Sequence, residues 1–510
     1  MQYKEIEIKL PTKFTAQDLR KVISKKLHVK QFNYEILLQS LDARHKPDVY
    51  WVLRVRVMSK EINGESYNSD PGLVIPYRKR DRKVIIVGSG PAGFFAGFVL
   101  QKAGFKVTIL EKGPKVGQRY QDIISFESGG EFKDNSNYCH GEGGAGTFSD
   151  GKLTSRTKGI AIEKQFIFDS YAHAGAPEEI RYLAKPHIGS DRLRIVIPNL
   201  RKQFESLGGK MLFETEVSCL VIKDKKCRAV VAGNDEILCD MLILAPGHSS
   251  YKTYRMLHQH GILFRSKPFA IGVRVEHPQE LINTSQWNTA TLPGLKAAEY
   301  KLTHTASSGL PVYSFCMCPG GKVIPSAPAD MQNIVNGVSD YARNSTFANS
   351  AIVAGIDLNK ILGKDVGFVE ALAWLENLEK RVFDLTGSYK IPGQRIADFL
   401  GQKISSSIPS NSYPFEVFPY NFEDLFPVAI TRSLREGMTD FSRKIKGFES
   451  GLMMGLESKT SSPVQVIRNE HRRCEGFDNI FIVGEGSGYA GGITSSAVDG
   501  VKLGIDLTNG

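Results

Sequence analysis

The chain opens on strict alternation. Ile6, Ile8 and Leu10 are apolar between polar neighbours, which predicts a half-buried strand over residues 3–10. Thr15 followed three residues later by Asp18 is a capping-box signature and predicts a helix through Leu27. Segments 33–41 and 49–58 are rich in Ile, Leu, Val, Tyr and Trp and predict two more strands. The order strand, helix, strand, strand describes a small α+β domain over residues 1–75. Segment 63–72, NGESYNSDPG, has the composition of a linker.

The pattern changes at Val84. An apolar run, Val84–Val87, leads into a glycine-rich turn, a helix and a second strand over 107–111. Residues 211–217 and 227–245 predict further strands. Leu372, Leu375, Leu378 and Val382 recur at helical spacing and predict an amphipathic helix over 368–385. A last strand, Ile480–Val483, runs into another glycine-rich turn and a final helix. These elements predict three units: 1–75, a second built from 84–264 and 431–510, and an inserted domain over 265–430.

Composition alters this picture in three places. The chain has 510 residues, 41% of them hydrophobic, enough for a large core without disulfide staples. Its net charge is +11, and residues 1–83 hold 18 basic against 10 acidic residues, or +8 of it. A basic segment is a solvated face or a site for an anionic partner such as nucleic acid. The seven cysteines are odd in number and mostly scattered, the usage of a reducing cytoplasm. The first residues carry no apolar signal region, and the apolar stretch 84–101 is broken by Gly88, Gly90, Pro91, Gly93 and Gly97, so no membrane span is expected.

Three glycine-rich constellations carry the chemistry. The first runs Gly88, Ser89, Gly90, Pro91, Ala92, Gly93, between a strand and a helix. Gly88 permits the tight turn, Gly90 admits a pyrophosphate against the backbone, and Gly93 lets helix and strand pack closely. The helix N-terminus offers free N–H groups to phosphate. Glu111 follows at the spacing of the acid that accepts hydrogen bonds from adenosine ribose. The second, Gly484-Glu485-Gly486 through Gly491-Gly492-Ile493-Thr494, distinguishes FAD from NAD. A flavin fold returns at its far end with an acid beside the ribityl or phosphate groups and a helix N-terminus under the flavin ring, where its dipole favours negative charge. The third, Gly141–Lys152, includes Gly144, Gly146, Thr147 and Phe148 and predicts a loop that wraps the flavin. Lys112, Val217 and Gly247 complete the expected cofactor contacts, with Arg119 as a guanidinium fork for the pyrophosphate.

The expected fold is therefore α/β: a glutathione-reductase-type, Rossmann-like FAD-binding domain, an inserted α+β substrate domain and the small N-terminal domain. No second GxGxxG follows a strand between residues 217 and 480, and no CxxC or CxxxxC pair is present. This argues against the disulfide-reductase subclass. Cys316 and Cys318, in Cys-Met-Cys-Pro-Gly-Gly, are either buried structural thiols or a redox pair, and too few for a zinc site.

Several of these segments also carry a family resemblance: GGAGTFSDGKL at 143–153, GVRVEHPQ at 272–279, SFCMCPGG at 314–321, TSSP at 460–463 and GEGSGYAGGITSSAVDG at 484–500. With them the chain resembles the bacterial uncharacterised FAD-dependent dehydrogenase family along nearly its whole length. The resemblance implies the FAD sites and the three-unit layout. The chain departs from the family pattern at Ser250-Tyr251-Lys252 and at Lys459, which stands where an arginine is expected.

The function expected is an FAD-dependent oxidoreductase passing a hydride between a small-molecule substrate and flavin N5. Substrate is expected in a cleft between the FAD domain and the insert, with Lys152, Cys318, Asn336, Arg343 and Asn349 as candidate cleft residues. NAD(P)H and a protein electron partner stay open. The alternative is a flavoprotein whose basic N-terminal domain binds RNA or a protein partner, in RNA modification or redox sensing.

Overall fold

The computed structural model describes residues 1–67 and 72–510, so the linker expected over 63–72 lies partly outside the described residues. The N-terminal unit has the predicted order. Strands Gln2–Pro11, Asn33–His45, Asp48–Ser59 and Glu65–Ser66 form an antiparallel sheet, with Ile6 opposite Val55 and Ile8 opposite Leu53. Helix Ala16–Leu27 begins at the predicted capping box: Asp18 N–H donates to Thr15 Oγ1 and Thr15 N–H to Asp18 Oδ2. Its Leu19 and Ile23 are buried against the alternating apolar face of the sheet, as the two periodicities require.

The second unit is a parallel five-stranded sheet ordered Ile480–Ile482, Met241–Leu244, Lys83–Val87, Lys106–Leu110, Lys210–Leu212. The central strands are apolar because both faces are covered: helices Pro91–Lys102 and Ile493–Asn509 pack on one, and strands Val217–Lys223 and Lys226–Ala232 with helix Tyr251–Gln259 on the other. Helices Pro91–Lys102 and Ile493–Asn509 pack on one another through small residues: a Cβ at Gly500 would lie 2.1 Å from the Ala92 carbonyl oxygen. The strand region expected over 227–245 divides into Lys226–Ala232, Asp235–Leu238 and Met241–Leu244. The first two form, with Val217–Lys223, a small antiparallel sheet.

The third unit is an eight-stranded sheet whose central strand Phe269–Pro278 pairs with Phe347–Ile356 on one side and Leu452–Glu457 on the other. The predicted helix Phe368–Asp384 buries Leu372, Leu375, Leu378 and Val382 in its core. Helix Val428–Lys444 joins the same core through Ile430, Leu434, Met438 and Phe441. That corrects the expected return at residue 431: strand pairing keeps the chain in this sheet to Glu457. The two crossings to the parallel sheet lie side by side, Phe264–Ser266 pairing antiparallel with Val464–Val466. Among the described residues no helix is long and apolar enough to cross a membrane.

Candidate functional site

One cavity of about 850 Å³ runs from the Gly88 turn to strand Pro311–Pro325 of the third unit. This size lies in the range of ligand sites. The glycines at its inner end are there for close approach. Gly88 has φ +102°, and a Cβ on it would lie 2.3 Å from the Ala245 carbonyl oxygen. A Cβ on Gly93 would lie 2.0 Å from the Gly88 carbonyl oxygen, so Gly93 sits behind the turn and sets the helix-to-strand distance. Gly90 caps helix Pro91–Lys102 without a side-chain partner. At the other end of the chain, Gly492 caps helix Ile493–Asn509 in the same way. Two helix N-termini with uncapped N–H groups thus serve one cavity, an arrangement that favours anionic groups.

Glu111 holds the turn as well as facing the cavity. It accepts hydrogen bonds from Ser89 N–H at 3.0 Å, Ser89 Oγ at 2.7 Å and Gly113 N–H at 3.0 Å. Glu485 lines the opposite wall. Burial pushes its pKa up to about 7, against the opposing pull of Lys267 and Lys459. Beside it, neither ring nitrogen of buried His248 has a well-aligned hydrogen-bond partner, and Thr460 Oγ1 has none. Burial pushes the His248 pKa down to about 3, with Lys459 next in effect, so the ring is neutral. An unpaired buried polar group is costly, and Thr460 Oγ1 on this wall marks a place for a polar ligand. Gly247 and Gly491 on the same wall have no atom within 4 Å of a built Cβ. The glycine cradle, the two helix N-termini and the unpaired Thr460 hydroxyl together fit FAD.

All the expected cofactor residues line the cavity except Gly93, Arg119, Thr147, Phe148 and Thr494. Arg119 is corrected from pyrophosphate ligand to scaffold. It is fully buried and spends its guanidinium on the carbonyl oxygens of Asn137, Tyr138, Glu142 and Gly144 at 2.8–3.0 Å. Thr147 Oγ1 donates to the Glu142 carbonyl, and Phe148 stacks on Tyr120 under the Arg119 guanidinium. Thr494 Oγ1 donates to the Leu153 carbonyl at 2.9 Å and ties the last helix to the flavin-side loop. These four residues shape the loop instead of touching the cavity.

Of the five cleft candidates, Lys152, Asn336 and Arg343 line the outer part of the cavity. Asp150 joins two of them: Arg343 Nη2 donates to it at 2.7 Å and Lys152 Nζ lies 3.2 Å away. Burial would raise the Asp150 pKa, but Lys152 and Arg343 outweigh it and hold the carboxyl at about 2. Burial likewise opposes the Lys152 charge, and Asp150 more than offsets it. Cys318 and Asn349 are fully buried and do not line the cavity; Cys316, half-buried, lines it instead. The reason is backbone geometry. The register of Pro311–Pro325 against its neighbour shifts between Phe315 and Cys318, and Cys316 has φ +43°. The strand expected to carry both thiols is bulged there.

Behind this wall lies a group that sequence reasoning missed. Arg274, fully buried, donates to Glu457 at 2.8 Å, to Asn336 Oδ1 and Asn349 Oδ1 at 2.8 Å each, and to the Cys316 carbonyl at 2.5 Å. The signal was an arginine inside the apolar run 269–275, which a buried strand tolerates only with a partner. Gly337 belongs to the same group, since a Cβ on it would lie 2.0 Å from Asn349 Oδ1.

Residues 268–460 match a family described as FAD-dependent protein, C-terminal domain-like, and residues 86–144 match an NAD(P)-binding Rossmann-like domain. Residues 1–58 match a domain of unknown function. A protein of Clostridium beijerinckii, described as an uncharacterized protein, is 36% identical over 508 residues, spanning 95% of this chain and 94% of its own. The chain belongs to this family of FAD-dependent proteins. The FAD-dependent protein also matches a Streptomyces viridosporus L-glutamate oxidase precursor, 42% identical over 60 residues, 12% of this chain and 9% of the relative. Among solved structures it is similar to glycine oxidase from Bacillus cereus, with a TM-score of 0.38 and 10% identity over 84% of this chain and 95% of that one. It is similar too to the tetracycline destructase Tet(55), with a TM-score of 0.38 and 14% identity over 84% and 81%. FAD is the cofactor of this FAD-dependent protein, and its fold is of the oxidoreductase type. The comparisons lend no support to RNA binding by the basic N-terminal segment.

Proposed function

We propose that the FAD-dependent protein is a dehydrogenase in which bound FAD supplies the hydride acceptor or donor at N5 for a small-molecule substrate. The observation that carries this reading is the continuity of the cavity. Its inner part is the glycine cradle, and its outer part is walled by Lys152, Asn336, Arg343 and the 313–317 segment. The inner residues would hold the cofactor: the N-terminus of helix Pro91–Lys102 would take the diphosphate, that of helix Ile493–Asn509 the flavin ring, Glu111 the adenosine ribose, and Glu485 with Thr460 the ribityl side. The outer residues bind substrate. Lys152 is ionised, anchored on Asp150 and the Met317 carbonyl, and leaves its remaining N–H for an anionic group on the substrate. Arg274 fixes Asn336 through its Oδ1, so that its amide nitrogen is the atom left for the ligand.

The test is an anaerobic titration of holoprotein with NADH, NADPH and then fractionated small metabolites, following the visible flavin band. Saturable bleaching by one compound is expected. Lys152→Met should weaken its apparent affinity roughly tenfold, the cost of one charge-assisted hydrogen bond, at unchanged flavin content. A holoprotein that no small molecule bleaches, or a Lys152→Met variant of wild-type affinity, would overturn the reading.

A further inference from the structure

Cys316 and Cys318 lie outside the glycine cradle, in strand Pro311–Pro325 of the third unit. Cys316 opens on the outer cavity, while Cys318 lies directly behind it with no exposed surface. The bulge brings residue 318 back against residue 316: the Cys318 thiol donates to the Cys316 carbonyl oxygen at 3.3 Å. Positive φ at a residue with a side chain is costly and persists where the surroundings impose it. Here two cations impose it. Arg274 Nη2 donates to the Cys316 carbonyl at 2.5 Å and reaches Cys318 Sγ at 3.6 Å, and Lys152 Nζ donates to the Met317 carbonyl between them.

We propose that Cys316 and Cys318 are a dithiol redox pair of this cavity that reduces a small-molecule disulfide bearing an anionic group. Cys316 is the attacking sulfur and Cys318 the resolving one. The neighbouring Cys318 thiol lowers the Cys316 pKa well below that of a free thiol, against burial and with Lys152 and Arg274 adding to the lowering. Cys318 moves the opposite way and keeps its proton. A cavity-lining thiolate, partly accessible, backed by a buried thiol is the division of labour that two-step exchange requires.

The sequence of bonds is closed. Cys316 sulfur attacks one sulfur of the substrate disulfide, whose S–S bond breaks and releases a thiolate. Cys318 sulfur then attacks Cys316 sulfur, the mixed disulfide breaks, and the second thiolate leaves with the Cys318 proton. The protein dithiol has lost two electrons and the substrate has become two thiols. Lys152 and Arg343, on the same wall, select disulfides carrying carboxylates. This step is independent of the substrate that exchanges hydride with FAD.

The probe is 5,5′-dithiobis(2-nitrobenzoate), a disulfide with two carboxylates, added to reduced holoprotein. Both cysteines lie in one tryptic peptide, 302–322. In wild type this peptide should lose two hydrogens and keep no adduct, with about two aromatic thiols released beyond a Cys316→Ser/Cys318→Ser variant. Cys318→Ser should stop at a stable adduct on Cys316, with about one thiol released. Cys316→Ser should release none beyond the double variant. A wild-type peptide that keeps the adduct, or stays unmodified while other cysteines react, would overturn the proposal without recourse to any variant.

Discussion

Glu485 concentrates the tension of the cofactor wall. Its carboxyl faces a cavity and two lysines, yet burial holds its pKa near 7 instead of 4.5. The charged form is therefore the disfavoured one in the folded chain. Its contribution to stability is complete below pH 4.5, falls as pH rises toward 7, and is lost above that. In FAD-free protein, wild type should lose up to about 3 kcal/mol across this window relative to Glu485→Gln. Glu276 titrates in the same window, its pKa also pushed by burial to about 7, so the difference between the two proteins is the quantity to measure. Urea denaturation at pH 5 and pH 8 reads it. Equal pH dependence in both would show that Glu485 is not the desolvated group described.

At the scale of elements, the glycines divide by what stands opposite them. Gly500 and Gly93 face backbone at 2.1 and 2.0 Å, whereas Gly117, exposed in helix Val116–Glu127, meets nothing within 4 Å. Gly500→Ala should force helices Pro91–Lys102 and Ile493–Asn509 apart, costing about 2 kcal/mol and part of the bound FAD. Gly117→Ala should instead stabilise by about 0.5–1 kcal/mol, because alanine has the higher helix propensity and nothing is displaced. Denaturant melts of the two variants check the contrast. This division was legible in the sequence for the first turn, where strand, GxGxxG, helix and acid stand in fixed order. It was not legible for Arg119, which looked like a phosphate ligand because it follows the acid closely. Only tertiary structure reveals that four carbonyl oxygens of the 137–144 loop consume its donors.

For the molecule as a whole, the cavity exists because two sheets from distant parts of the chain share it. The parallel sheet and its flanking helices were readable from period and punctuation. The extent of the second sheet was not. The strand at 452–457 is short and bounded by polar residues, and its pairing with Phe269–Pro278 spans most of the inserted segment. The buried cluster that links its strands was hidden for the same reason, since Arg274, Asn336, Asn349 and Glu457 meet only after folding. Arg274→Met should cost about 3–5 kcal/mol, because Glu457 is left charged or forced to take up a proton in a dry interior. It should also remove a cation that favours the Cys316 thiolate and so lower its alkylation rate at neutral pH. A melt unchanged from wild type would remove Arg274 from this role.

The central claim is that one FAD lies in this cavity, gripped from both ends of the chain. The most direct measurement is the FAD content per chain of purified wild type, Gly90→Asp and Glu485→Ala, read from the visible spectrum, with circular dichroism to confirm folding. About one FAD per chain in wild type is expected. Gly90→Asp should be folded and nearly colourless, since its carboxylate would stand where the diphosphate binds, and Glu485→Ala should be strongly depleted. Folded variants that both keep a full complement of FAD would contradict the account.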